Sequence, residues 1–115
     1  MKQPGTPRIM IWMNKRLERL EQLIAAGSRD PFVRYARALE LRGLGQLESA
    51  LAALDEVCAL HPQYVPTFLM AGQITAELGR TEQARAWFEQ GVTLAKAARD
   101  EHARSELQAA LDALA

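Results

Sequence analysis

Cysteine is nearly absent from this sequence, because Cys58 is the only one among 115 residues. A single cysteine can form neither an intrachain disulfide nor a cysteine-based zinc site. We therefore expect a reducing, cytoplasmic setting. Cys58 lies on an apolar helix stripe, which favours a small core residue over a reactive thiol.

Histidine is also scarce, and no cluster of residues has the spacing of a catalytic or cofactor site. His61 and His102 are isolated, and neither has a second His or Cys at ligand spacing, so a metal site is not predicted. The stretch Gly43–Gly45 lacks the strand, the third glycine and the lysine of a phosphate-binding loop. We predict that the protein is not an enzyme, has no catalytic residues and uses neither a metal nor another cofactor.

Long apolar runs are missing as well. The longest strongly apolar run, Ile9–Met13, has five residues, whereas a helix needs about 20 to cross a bilayer. The run is too short for the apolar region of a secretion signal, and no small-residue cleavage site follows it. We expect no membrane association and no secretion.

Net charge is zero, since fourteen Lys and Arg balance fourteen Asp and Glu. The whole molecule therefore has no general attraction for nucleic acid or membranes. The charges are unevenly placed, because residues 1–42 hold nine basic and four acidic residues and residues 43–115 hold five and ten. This asymmetry could favour head-to-tail association or an acidic partner, while an ordinary solvated basic face is the simpler interpretation.

Helical periodicity is what the sequence does contain. From Asn14 onward, apolar residues recur at steps of three and four, and no stretch alternates as a strand would. Gly27 suits a helix end, and Asp30 followed by Pro31 suits a helix start. The pattern predicts an all-α protein of six helices, in which the boundary near Asp100 is marked by neither glycine nor proline.

One short stretch occurs twice. Residues 44–50 read LGQLESA and residues 78–84 read LGRTEQA, 34 positions apart. The leucine-glycine pair lies between two predicted helices each time, so the repeated unit is a helical hairpin. Such a unit cannot bury both of its faces alone, and successive copies must stack.

The 34-residue period and the repeated sequence resemble the tetratricopeptide repeat, and the chain is similar to small bacterial proteins of that family. The second copy matches the family pattern and departs from it at Thr75 and Lys96. The first copy departs at Arg34 and Arg37. The matching residues are Phe68, Ala71, Gly72, Ala84 and Phe88 in the second copy and Ala38, Leu41, Ala50, Leu54 and Pro62 in the first.

The resemblance implies an α-solenoid of two hairpins flanked by an N-terminal and a C-terminal helix, in one domain over residues 14–115. We expect a capping helix at 14–26, the first repeat at 31–64, the second at 65–98 and a last helix at 101–114. We interpret residues 1–13 as a disordered extension. A competing hypothesis is that Ile9–Met13 docks on the groove of its own or a neighbouring chain.

The resemblance also implies a binding groove lined by the first helix of each hairpin. Its groove-facing residues would be Phe32, Tyr35, Leu39 and Arg42, followed by Leu69, Gln73 and Glu77. An apolar stripe of this kind favours an apolar or amphipathic segment as the partner.

Three functional hypotheses follow. The first is a non-catalytic module that binds a protein or peptide in the groove. The second is a self-associating module whose groove is occupied by its own chain or by an oligomer partner. The third, and the weakest, is a nucleic-acid accessory protein, because acidic residues are interleaved with the basic ones and no aromatic platform accompanies them.

Overall fold

Only helices and their turns occur in the computed structural model, which describes residues 8–114, with side chains from Lys15 onward. Each helix packs against the next along the chain, and α4 also contacts α6. The predicted all-α fold, with two hairpins between flanking helices, is confirmed. The helices are α1 (Arg8–Ala25), α2 (Pro31–Gly43), α3 (Leu47–Leu60), α4 (Pro66–Glu77), α5 (Thr81–Ala97) and α6 (Glu101–Ala113).

Two aspartates start helices as expected. The Asp30 carboxylate accepts a hydrogen bond from the Phe32 amide at 2.9 Å, and Pro31 occupies the first position of α2. The Asp100 carboxylate accepts from the Ala103 amide at 3.0 Å. Each bond satisfies an amide that has no partner within its own helix.

The repeated leucine-glycine turn has the same geometry in both hairpins. Gly45 and Gly79 have φ angles of 79° and 78°, a conformation that glycine adopts without steric cost. In the first turn the Gln46 amide donates to the Leu41 carbonyl at 3.0 Å, and the second turn closes in the same way. These bonds satisfy carbonyls at the helix ends, which explains why the leucine-glycine pair occurs in both copies.

The turn between α5 and α6 has this geometry without a glycine. Arg99 has a φ of 57°, and the Asp100 amide donates to the Ala95 carbonyl at 2.9 Å. The helix boundary near Asp100, which neither glycine nor proline marks in the sequence, is therefore a turn of the same kind as the two leucine-glycine turns.

The start of α1 differs from the expectation. The helix was predicted to begin at Asn14, but α1 begins at Arg8. No proline or glycine occurs between Pro7 and Gly27, so nothing in the chain interrupts the helix there. The predicted extension at 1–13 therefore overlaps α1 by six residues (8–13), and its first seven residues lie outside the described ones.

The core consists of two adjoining clusters. The first is centred on Leu54 and Ile74 and joins α2, α3 and α4. The second is centred on Phe68, Phe88 and Leu107 and joins α4, α5 and α6. Trp87 packs against both clusters and lies 5.8 Å from Phe68, ring centre to ring centre, in an edge-to-face contact.

Small residues allow the helices to approach one another. Ala50 and Ala84 are fully buried at equivalent places in the second helix of each hairpin. A Cβ added at Gly72 would overlap the Phe88 ring. The family pattern expects glycine at that position, and the structure shows that the Phe88 ring occupies the space beside it.

Arg34 and Arg37, the two departures from the family pattern, are paired between helices. Arg34 Nη1 lies 2.5 Å from Glu56 Oε1. Arg37 lies 3.5 Å from Glu21 and 3.7 Å from the other oxygen of Glu56. The guanidinium groups of both arginines therefore pair with carboxylates of α1 and α3, which connects three helices.

Candidate functional site

Helices α2, α4 and α6 share a groove. Its central cavity has a volume of about 300 Å³ and lies among side chains of all three helices and of the segment before α4. Tyr35, Leu69 and Ala103 contribute one wall residue from each helix. The full lining is Tyr35, Val65, Pro66, Leu69, Asp100, His102, Ala103, Glu106 and Leu107.

Helix α6 is the part of the groove that the sequence analysis missed. The three wall residues are spaced by the repeat period, since Tyr35, Leu69 and Ala103 stand 34 positions apart. Helix α6 therefore occupies the place of a first helix in a further repeat. Extending the period beyond the second copy identifies this wall from the sequence, whereas the resemblance implied only a flanking C-terminal helix there.

Tyr35 is the aromatic side of the cavity. Its ring lies 5.7 Å from that of Tyr64, edge to face at 67°, an arrangement that aromatic pairs prefer. Burial raises the pKa of Tyr35 above its ordinary value, and Tyr64 and Glu106 add to the rise while Arg42 opposes it. Burial also raises the pKa of Tyr64, with a further contribution from Asp30. Both phenols are therefore neutral at physiological pH.

Arg42 joins α2 to α4 farther along the groove. Its guanidinium donates to Met70 Sδ at 2.8 Å and to Gln73 Oε1 at 3.5 Å, and it also pairs with the Glu77 carboxylate. Three of the predicted groove residues, Arg42, Gln73 and Glu77, are thus in direct contact. The positive charge of Arg42 is compensated within the groove wall.

Phe32 and Leu39 line a second cavity on the α1 side of α2. This cavity has a volume of about 370 Å³, and α1 contributes Leu20 and Leu23. Phe32 is 57% exposed and Leu23 is 43% exposed. An apolar patch with large exposed side chains therefore lies between α1 and α2.

The predicted groove residues of α2 therefore lie along two lines on the helix surface and not along a single stripe. Because successive helical residues are about 100° apart, Phe32 and Leu39 differ by only about 20° around the helix, as do Tyr35 and Arg42. The two lines are about 60° apart, so the first faces α1 and the second faces α4. Tyr35 and Leu69 meet in the central cavity, and Phe32 and Leu39 do not reach it.

Metal and membrane sites were not predicted, and two observations bear on them. Across the described part of the chain, no three His, Cys, Asp or Glu side chains lie close enough to share a metal ion. Within residues 8–114, none of the helices combines the length and the apolar character that a bilayer span requires.

The family assignment follows from two comparisons. A family model for the tetratricopeptide repeat matches residues 65–97. A tetratricopeptide repeat domain protein from Salinibacter ruber, known from a crystal structure, is 35% identical over 71% of this chain and 91% of that one, with a TM-score of 0.68. The chain belongs to the tetratricopeptide repeat family. Among curated proteins, none matches its sequence at a significant level.

Two further proteins of known structure share the fold at lower identity. PcrH of Pseudomonas aeruginosa, solved in complex with the chaperone-binding region of PopD, is 18% identical over 89% of this chain and 77% of that one, with a TM-score of 0.81. SycD, a type III secretion translocator chaperone of Yersinia enterocolitica, is 11% identical over 89% and 71%, with a TM-score of 0.80. At these identities the likeness concerns the fold alone.

Proposed function

We propose that this protein binds a peptide segment of another protein in the groove of α2, α4 and α6, and that it does so without catalysis. The observation that carries the proposal is the central cavity, where Tyr35, Leu69 and Ala103 present an apolar wall from three different helices. A concave, largely apolar site with a few polar groups at its edge is the usual form of a binding site.

The solved complex of PcrH with a region of PopD supports this proposal by analogy. A protein of the same fold binds a segment of a partner, and the fold itself does not determine which partner is bound. The cavity therefore carries the proposal, and the complex of PcrH agrees with it.

The test is a peptide-display selection on the full chain, followed by NMR mapping of one selected peptide. We expect its chemical-shift changes to cluster on α2, α4 and α6. Ala103→Phe would fill the cavity and weaken binding at least about tenfold, a loss of roughly 1.4 kcal/mol. Ala109→Phe, the same substitution on the exposed face of the same helix, serves as the matched control. Shifts confined to α3 and α5, or equal effects of the two substitutions, would contradict the proposal.

Self-association is the second candidate function, and the apolar patch between α1 and α2 favours it. Leu23 and Phe32 are large, apolar and exposed beside each other, as interface residues often are. Sedimentation velocity over a wide concentration range tests this candidate. A dimer that Phe32→Ser dissociates would support it, and a monomer at all concentrations would reject it.

A further inference from the structure

The groove carries more negative than positive charge around its cavity. Glu106 and Asp100 both line the cavity, and Asp30 is close enough to raise the pKa of Tyr64. Arg42, the cation that α2 contributes, is already paired with Glu77. An apolar floor is therefore bordered by carboxylates, and none of the described residues that line this cavity is a Lys or an Arg.

Two of these carboxylates have oxygens available to a partner. Asp100 uses Oδ1 to cap α6. Glu106 lies 2.6 Å from His102 Nε2, but the His102 side chain is 88% exposed and can rotate away from the pair. Glu106 also lies close enough to Tyr35 to raise its pKa, so its carboxylate lies near the aromatic side of the cavity.

We propose that the segment held in the groove is amphipathic and basic: an apolar side chain occupies the cavity between Tyr35, Leu69 and Ala103, and Lys or Arg residues next to it pair with Glu106 and Asp100. This inference rests on the proposed peptide-binding function and adds the charge of the partner to it. An acidic segment would place like charges together, which electrostatic complementarity at interfaces disfavours.

The experiment is a selection from a randomised peptide library on the full chain at about 0.15 M salt, where charges interact over about 8 Å. We expect the enriched peptides to combine apolar residues with a net positive charge. The matched variants are Glu106→Lys in the groove and Glu89→Lys on the exposed surface of α5. For a synthetic copy of one enriched peptide, we expect Glu106→Lys to raise Kd about fivefold or more and Glu89→Lys to change it by less than about twofold.

The outcomes separate this inference from the function on which it rests. Enriched peptides that are neutral or acidic, or equal effects of the two lysine variants, would overturn the charge preference and leave peptide binding intact. No enrichment over the Ala103→Phe variant would overturn peptide binding itself. A salt-sensitive dimer that Glu106→Lys dissociates would show that a second copy of this chain is the occupant, and the peptide proposal would be wrong.

Discussion

Arg99 has a backbone conformation that its side chain makes costly. A residue with a Cβ in the left-handed region is destabilised by about 1–2 kcal/mol, and Arg99 is the only residue other than glycine with a positive φ in the described chain. A hydrogen bond from the Asp100 amide to the Ala95 carbonyl closes the turn in spite of this cost. The turn between α5 and α6 therefore retains an unfavourable backbone conformation at Arg99.

We expect Arg99→Gly to raise the free energy of unfolding by roughly 0.5–1 kcal/mol, because the relieved strain exceeds the added freedom of the unfolded chain. Urea denaturation measures the change. Ala98→Gly is the matched control, since Ala98 has an ordinary φ of −81° and glycine there should destabilise. A loss of stability in Arg99→Gly would show that its side chain has a role that outweighs the strain.

The ionisation of Tyr35 makes the stability of the fold depend on pH. Burial, with a contribution from Tyr64, raises the pKa of Tyr35 above the ordinary 10.0. Because the folded state holds the phenol proton more tightly than the unfolded chain, this contribution to stability is fully present below about pH 10 and is lost as pH rises through the folded pKa.

We therefore expect the free energy of unfolding to fall more steeply above about pH 10 in the wild type than in Tyr35→Phe. Urea titrations at several alkaline pH values measure both proteins. Because Tyr64 is coupled to Tyr35, the same comparison is made between Tyr64→Phe and the double variant that lacks both phenols. Parallel declines would mean that the Tyr35 phenol ionises equally easily in the folded and unfolded states.

Helix α6 illustrates how an element becomes part of both core and groove. Leu107 is 1% exposed and lies against the place where a Cβ on Gly91 would be. The same helix presents Ala103 to the cavity one turn earlier. The attachment of α6 to the second core cluster therefore positions the third wall of the groove.

We expect Leu107→Ala to lower the free energy of unfolding by about 3 kcal/mol, since it leaves a cavity at a fully buried site. Leu60→Ala is the matched control, because Leu60 is 53% exposed and its truncation should change stability by less than about 0.5 kcal/mol. Thermal and urea unfolding measure both variants. Similar small effects for the two would show that α6 contributes little to folding.

The elements could be predicted from the sequence to a large extent, and the groove only partly. The glycine turns and the aspartate caps act locally, so the boundaries of α2 to α6 could be placed to within about two residues. The wall made by α6 required the repeat period to be continued past Leu69 to Ala103. The pairing of Arg34 with Glu56 depends on how α2 approaches α3, which no local pattern encodes. Whether the seven predicted groove residues bind a partner stays a prediction.

At the scale of the whole molecule, Trp87 connects the two core clusters. A repeat array is stabilised by its units and by the contacts between neighbouring units, and Trp87 packs against the clusters of both hairpins. The contact between Trp87 and Phe68 lies within the second hairpin. We therefore expect Trp87 to contribute to the cooperativity of the fold.

We expect Trp87→Ala to uncouple the two halves in addition to destabilising them. In the wild type, amide hydrogen exchange should report similar opening free energies for buried amides of α3 and α5. In the variant, the two helices should differ by at least about 1 kcal/mol. Phe88→Leu, a substitution inside the second cluster only, is the control. An equal decrease in both helices of Trp87→Ala would contradict the coupling role.

The two lines of residues on α2 have a consequence for how the protein can change. Phe32 and Leu39 belong to one surface, and Tyr35 and Arg42 belong to another, although all four lie within three turns of one helix. We expect a substitution on one line to leave the other surface largely unchanged, because the two lines border different cavities. Natural variation, or a protein engineer, can therefore change the two surfaces separately on a single helix, and with them the proposed self-association and the proposed peptide binding.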